Sequence, residues 1–105
     1  MPEYTLPRHY ETLVKNYPGF MSALEAMARA ARQSGPLDEK TIHLVQLGAA
    51  TAMGSETAVV SHARRAVQAG ATPAEVAQAL LSLATTIGFP AVAAGLKWSQ
   101  KYLDE

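Results

Sequence analysis

The sequence predicts an all-α fold, and three observations carry that expectation. Alanine and leucine, both strong helix formers, are frequent. Glycine and proline gather at a few separators instead of scattering. Between the separators, apolar residues recur at three- and four-residue steps, which place them on one face of a helix. Six helical segments result.

The first is a short lead-in helix over 8–16, stopped before Pro18. The second covers 19–33, with Phe20, Leu24, Met27 and Ala31 as one apolar face. Ser34-Gly35-Pro36 breaks it. The third runs from about Glu39 to Met53, with Asp38 as N-cap and Leu37 as a staple residue ahead of it. Its interior, Leu44 to Ala50, is small and apolar nearly all round, so burial on most sides is expected. Gly48 in its middle suggests a close helix crossing there.

Gly54 separates this helix from the fourth, about 56–69, for which Ser55 is a natural N-cap and Gly70 a stop. Thr72-Pro73-Ala74-Glu75 signals the next start: Thr72 caps, Pro73 takes the first helical position, and Glu75 can close a capping box. The fifth helix is expected to run to about Ile87, with Val76, Leu80, Leu83 and Ile87 as its stripe. Gly88-Phe89-Pro90 is a turn, and the last helix, 91–103, carries Val92, Leu96 and Tyr102.

A chain of 105 residues is read as one domain, residues 1–105, with a lead-in over 1–17. Its first several residues are expected to be mobile or to reach a neighbouring subunit. Nine basic and nine acidic residues cancel, and neither Arg29 with Arg32 nor Arg64 with Arg65 makes a basic stripe. That argues against a nucleic-acid partner and against an anionic membrane surface. The stretch from Leu44 to Met53 is too short to span a bilayer, and the N-terminus does not read as a signal peptide. The absence of cysteine removes disulfides, thiolate metal sites and thiol redox cycling, and fits a cytoplasmic protein.

Residues 54–66 read Gly-Ser-Glu-Thr-Ala-Val-Val-Ser-His-Ala-Arg-Arg-Ala. The segment resembles the C-x-x-C-x-x-x-H stretch of the alkylhydroperoxidase D / carboxymuconolactone decarboxylase family. Ser55 and Ala58 stand at the cysteine positions, and His62 at the histidine. The likeness spans about 36–96. It opens at Pro36-Leu37-Asp38-Glu39-Lys40-Thr41, passes through Ala66 to Glu75, and closes at Ile87-Gly88-Phe89-Pro90-Ala91, similar to the family's Y-x-G-x-P-A turn. It implies an all-helical, alkylhydroperoxidase D-like domain that assembles as a homo-oligomer, commonly a trimer or hexamer.

Family chemistry takes two forms. Peroxidase-type members use two cysteines, the histidine, and a glutamate twelve positions before the first cysteine; here that position holds His43. Alanine has no nucleophilic atom and serine is not a redox atom, so thiol peroxidase chemistry is excluded. Decarboxylase-type members lack the cysteines, keep the histidine and act on a carboxylated muconolactone. Their glutamate-rich segment is matched here at Glu56 but not at Thr57 or Ala58. Ala93 and Ala94 replace their polar residues after the turn.

His62 is the leading candidate for catalysis, because imidazole moves protons near neutral pH. Its bland alternative is a hydrogen-bonded packing residue. His43 would approach His62 if the family packing holds. The pair could then share a proton or take a metal, with Glu56 as a conceivable third ligand, but no H-x-x-x-H spacing is evident, so neither metal nor cofactor is expected. Gln46, one turn after His43, can orient it or satisfy a helix end. Ser55 and His62 lie two turns apart, roughly 10 Å along one axis, so Ser55 fits an N-cap better than a nucleophile. Glu56 suits the helix dipole with or without a site. Ser55, Glu56, Gln46 and Arg65 form the candidate substrate-binding set, with Arg64 or Arg65 as carboxylate partner. Trp98 and Tyr102, on the last helix, fit packing or subunit contact.

Two functions follow as expectations. One is a non-redox acid/base enzyme, a decarboxylase- or lactone-type lyase acting on a small carboxylated or lactone substrate. The other is a degenerate, non-catalytic oligomer with a binding or structural role.

Overall fold

A computed structural model describes residues 8–104. The expectations for the first residues of the chain lie outside the described ones. Among the described residues the elements are all helical: α1 (Arg8–Asn16), α2 (Pro18–Gln33), α3 (Glu39–Met53), α4 (Glu56–Gln68), α5 (Pro73–Leu81), α6 (Ala84–Ile87) and α7 (Phe89–Leu103). They fall into two compact units, α1–α2 and the segment from Asp38 onward.

In the larger unit the helix starts are set by the residues the sequence singles out. The Asp38 carboxylate accepts from the Thr41 amide at 2.8 Å and opens α3. The Thr41 side chain first, and then this amide bond, hold the Asp38 carboxyl below the usual carboxylate range. Gly54, at φ +71°, closes α3 in the left-handed region, where a side chain would be strained. Ser55 follows at once, its hydroxyl accepting from the Ala58 amide at 3.3 Å to cap α4. One glycine and one serine thus fold α3 back against α4 as a tight helical hairpin. Thr72 and Glu75 complete a capping box at the start of α5. Glu75 also receives the Lys40 ammonium at 3.1 Å, tying the N-terminus of α5 to that of α3.

Leu47, Val59, Ala63, Ala66, Val76, Leu80, Val92 and Tyr102 bury completely or nearly so and form the core. Of the two helix-interior glycines, Gly95 of α7 is the more tightly packed, not Gly48. A Cβ on Gly95 would sit 2.9 Å from Thr51 Cγ2 and 3.3 Å from Leu80 Cδ2, whereas one on Gly48 would meet only Leu83, at 3.6 Å. Thr51 is itself fully buried and donates its hydroxyl to the Leu47 carbonyl at 2.8 Å.

Two other expectations are corrected. Helix α3 is not buried on most sides: His43, Leu47, Ala50 and Thr51 face inward, while Val45, Ala49, Ala52 and Met53 are exposed. The unit is small enough that its other helices cover one side of α3 only. The fifth helix does not reach Ile87 unbroken but stops at Leu81 and resumes as the single turn α6. The Ser82 hydroxyl bonds back to the Ala79 carbonyl at 2.7 Å, and the Leu83 amide takes the Leu80 carbonyl three residues back. Together these tighten and interrupt the α-helical ladder.

The smaller unit is a two-helix hairpin. Pro18 supplies the first residue of α2, where its missing N–H costs nothing. Tyr10 and Val14 of α1 line a groove of about 300 Å³ with Pro18, Ser22, Glu25 and Arg29 of α2. No residue of either helix is buried.

Candidate functional site

The α3–α4 hairpin brings the two candidate histidines together. His43 lies eleven residues before Gly54 and His62 eight after it. At 1.5 Å per residue, these are ~16 and ~12 Å from the turn, so the rings come to similar heights on adjacent helices. Their centroids are 5.9 Å apart, with planes inclined by 32°. The approach expected from the resemblance is therefore present, without the intervening thiols of the peroxidase-type site.

The rings have different surroundings. The His43 side chain is only 5% exposed, and its Nε2 lies 3.9 Å from the Glu39 carboxylate one turn earlier. His62 is half-buried, and its Nδ1 is enclosed with no hydrogen-bond partner among the described residues. Burial, first of all, pushes the His62 pKa down from 6.5 to about 4; the neighbouring Arg65, His43 and Arg64 add to the effect. His62 is thus a neutral imidazole at physiological pH, with a ring nitrogen still unused.

The remaining candidates are spread along the same hairpin. Arg64 donates from Nη1 to the side-chain Oε1 of Gln68 at 3.0 Å. Arg65 is half-buried, acts electrostatically on His62, and makes no ion pair among the described residues. Ser55 uses its hydroxyl as the α4 cap. Glu56 is exposed in the first turn of α4. Gln46 is half-buried one turn after His43, and its side chain makes no hydrogen bond among the described residues. The geometry therefore brings His43 and His62 together, with the charge of Arg65 felt at His62. It leaves Ser55 engaged in capping. Among the described residues no three His, Cys, Asp or Glu side chains come together as a metal-binding group.

Glu39 is the neighbour that sequence reasoning passed over, although its i, i+4 spacing to His43 was a legible signal. Ser99 is another: its hydroxyl is fully buried on α7 with no hydrogen-bond partner among the described residues, and nothing in the sequence around it marks it.

The α3–α4 hairpin thus presents one histidine from each arm, in a chain with no cysteine. The family model described as Carboxymuconolactone decarboxylase family matches residues 18–101, and the chain belongs to that family. The match reaches well beyond residues 36–96, taking in α2 and nearly all of α7. No curated protein matches the chain. Among the described residues, no helix is long and apolar enough to cross a membrane.

Proposed function

We propose that the chain is a non-redox acid/base enzyme that acts on a small carboxylated or lactone substrate, with His62 as the proton-handling group. The observation that carries this reading is the His43–His62 pair, 5.9 Å apart, with an unused ring nitrogen on His62. A packing histidine normally satisfies both nitrogens once it is enclosed. Here one is left for a ligand.

The electrostatics suit a carboxylated substrate. Without substrate His62 is neutral and holds no proton, since burial and Arg65 both disfavour the imidazolium. A substrate carboxylate docked on Arg65 would offset that cation and place negative charge beside the ring. Both effects raise the His62 pKa, so the imidazole becomes able to hold a proton and return it. Loss of carbon dioxide from a carboxylated lactone leaves an electron pair on carbon, and that carbon needs a proton. In this reading His62, having taken up a proton from solvent as its pKa rises on substrate binding, delivers it and returns to the neutral ring. His43 supports by position, and Gln46 and Glu56 border the hairpin on which the substrate would lie. Assembly as a homo-oligomer, trimer or hexamer, belongs to the same proposal.

The test is turnover of a carboxylated muconolactone by the wild-type chain and by His62→Ala. A loss of about 10²–10⁴ in kcat with the fold retained is the expected result. Equal turnover in the variant would remove His62 from the chemistry. Binding of the lactone with no turnover in the wild type would favour the non-catalytic alternative.

A further inference from the structure

Ser99 lies on the inward face of α7, in line with Val92, Gly95 and Tyr102, and is fully buried. Its hydroxyl has no hydrogen-bond partner among the described residues, not even the Gly95 carbonyl one turn back that a helical serine ordinarily takes. A buried hydroxyl in this state destabilises the fold, and an alanine would fill the same place without that cost. Nδ1 of His62 is enclosed in the same unpartnered state.

The packing of the helices brings Ser99 to the level of the histidines. Helices α3 and α5 run parallel: Lys40 reaches Glu75 at 3.1 Å, and Gly48 lies beside Leu83, each pair thirty-five positions apart in the chain. Val76 is therefore level with Thr41. Helix α7 packs on α5 and returns antiparallel to it, since the connection between them is short. Leu80 and Gly95 meet at about equal distances from the turn at Gly88. One turn further from Gly88, Ser99 stands opposite Val76, and so level with Thr41. Gly95 also packs directly on Thr51. One turn from that contact, with α7 antiparallel to α3, Ser99 is level with Leu47. The two routes bracket His43, which lies between Thr41 and Leu47 on the buried face of α3. By either route Ser99 is within about 6 Å of His43 along the bundle axis. The His62 ring, 5.9 Å from that of His43, belongs to the same layer. Packed helix axes are about 8–10 Å apart, so inward side chains of one layer can reach a common ligand.

We infer that Ser99 is a substrate-binding residue of the His43–His62 site, its hydroxyl donating a hydrogen bond to an oxygen of the ligand that also meets His62. The ligand class, a small carboxylated compound or lactone, rests on the acid/base reading proposed above; the placement of Ser99 does not. The ligand enters beside His62, which is half-buried, and Ser99 closes the inner wall. A neutral hydroxyl donates to a carbonyl or carboxylate oxygen without a further charge to desolvate. The unpartnered state of the hydroxyl in the free chain is relieved when the ligand binds.

The test uses the full chain as wild type and as Ser99→Ala, with a carboxylated muconolactone as probe. Lactone affinity is read by calorimetry, His62 by its ring signals in NMR, and the fold by Tm. Ser99→Ala is expected to hold or raise Tm, to shift the His62 ring signals in the free chain, and to weaken lactone binding by about 2–10-fold. A serine that serves packing alone would move Tm and nothing else. His62 signals indifferent to Ser99→Ala would overturn the placement, and equal lactone affinity in the two chains would overturn the binding role, whatever the turnover. A wild type that binds the lactone without turnover, yet more tightly than Ser99→Ala, would refute the acid/base chemistry while supporting the role of Ser99. A wild type that does not bind the lactone would overturn both.

Discussion

Acidification is the sharpest probe of the site, because His62 titrates far from its ordinary range. Its folded pKa is about 4, against 6.5 for an unhindered histidine. The unfolded chain therefore binds this proton first as pH falls, and proton binding favours unfolding. The contribution of the neutral ring is fully present above pH 6.5 and is lost progressively between 6.5 and about 4. That gap corresponds to roughly 3 kcal/mol at most; solvent reaching the half-buried ring reduces it to about 1–2 kcal/mol. Asp38 and Glu75, both held below the usual carboxylate range by the bonds they accept, stabilise the fold above that range and lose their effect only at more acid pH. The window from 6.5 to 4.5 thus isolates histidine. The assay is urea unfolding at half-unit pH steps for wild type and His62→Gln, with the histidine ring protons followed by NMR. The wild type is expected to lose stability through this window by about 1–2 kcal/mol more than the variant does, and one ring signal should titrate near pH 4. Parallel stability curves, or a His62 midpoint at or above 6.5, would refute the argument that burial and Arg65 keep the ring neutral.

Two further predictions follow from the same geometry. Arg65→Met removes the second-largest cause of the depressed His62 pKa, so the His62 midpoint should move up toward 6.5 by NMR while KM for a carboxylated substrate rises. Gly95→Ala would force its new methyl to within 2.9 Å of Thr51, a stiff, buried, hydrogen-bonded side chain. Overpacking costs about 1–3 kcal/mol and the gain in helix propensity returns about 1, so a net loss of roughly 1 kcal/mol and a Tm lower by about 4–8 °C are expected. The double variant with Thr51→Ala should recover part of the loss that Gly95→Ala adds.

The helix starts were legible because they are local. Asp38 to Thr41, Ser55 to Ala58 and Thr72 to Glu75 are each three residues apart, so the same atoms meet wherever the helix goes. The hairpin between α3 and α4 was legible for the same reason, from Gly54 and Ser55 side by side. The approach of His43 to His62 was legible only through a family likeness, since periodicity says which face each histidine occupies but not which helix that face meets.

Sequence by itself determined the class of fold, the separators, the absence of thiol chemistry and the pair of histidines to examine. These depend on residue type and on neighbours within one or two turns. Tertiary structure decided the rest. It packed Gly95 more tightly than Gly48, because Thr51 and Leu80 arrive from other helices. It broke the fifth helix at Ser82, exposed one side of α3, and enclosed the Nδ1 of His62. Each depends on which side chains meet across helices distant in the chain, and helix periodicity carries no information about that.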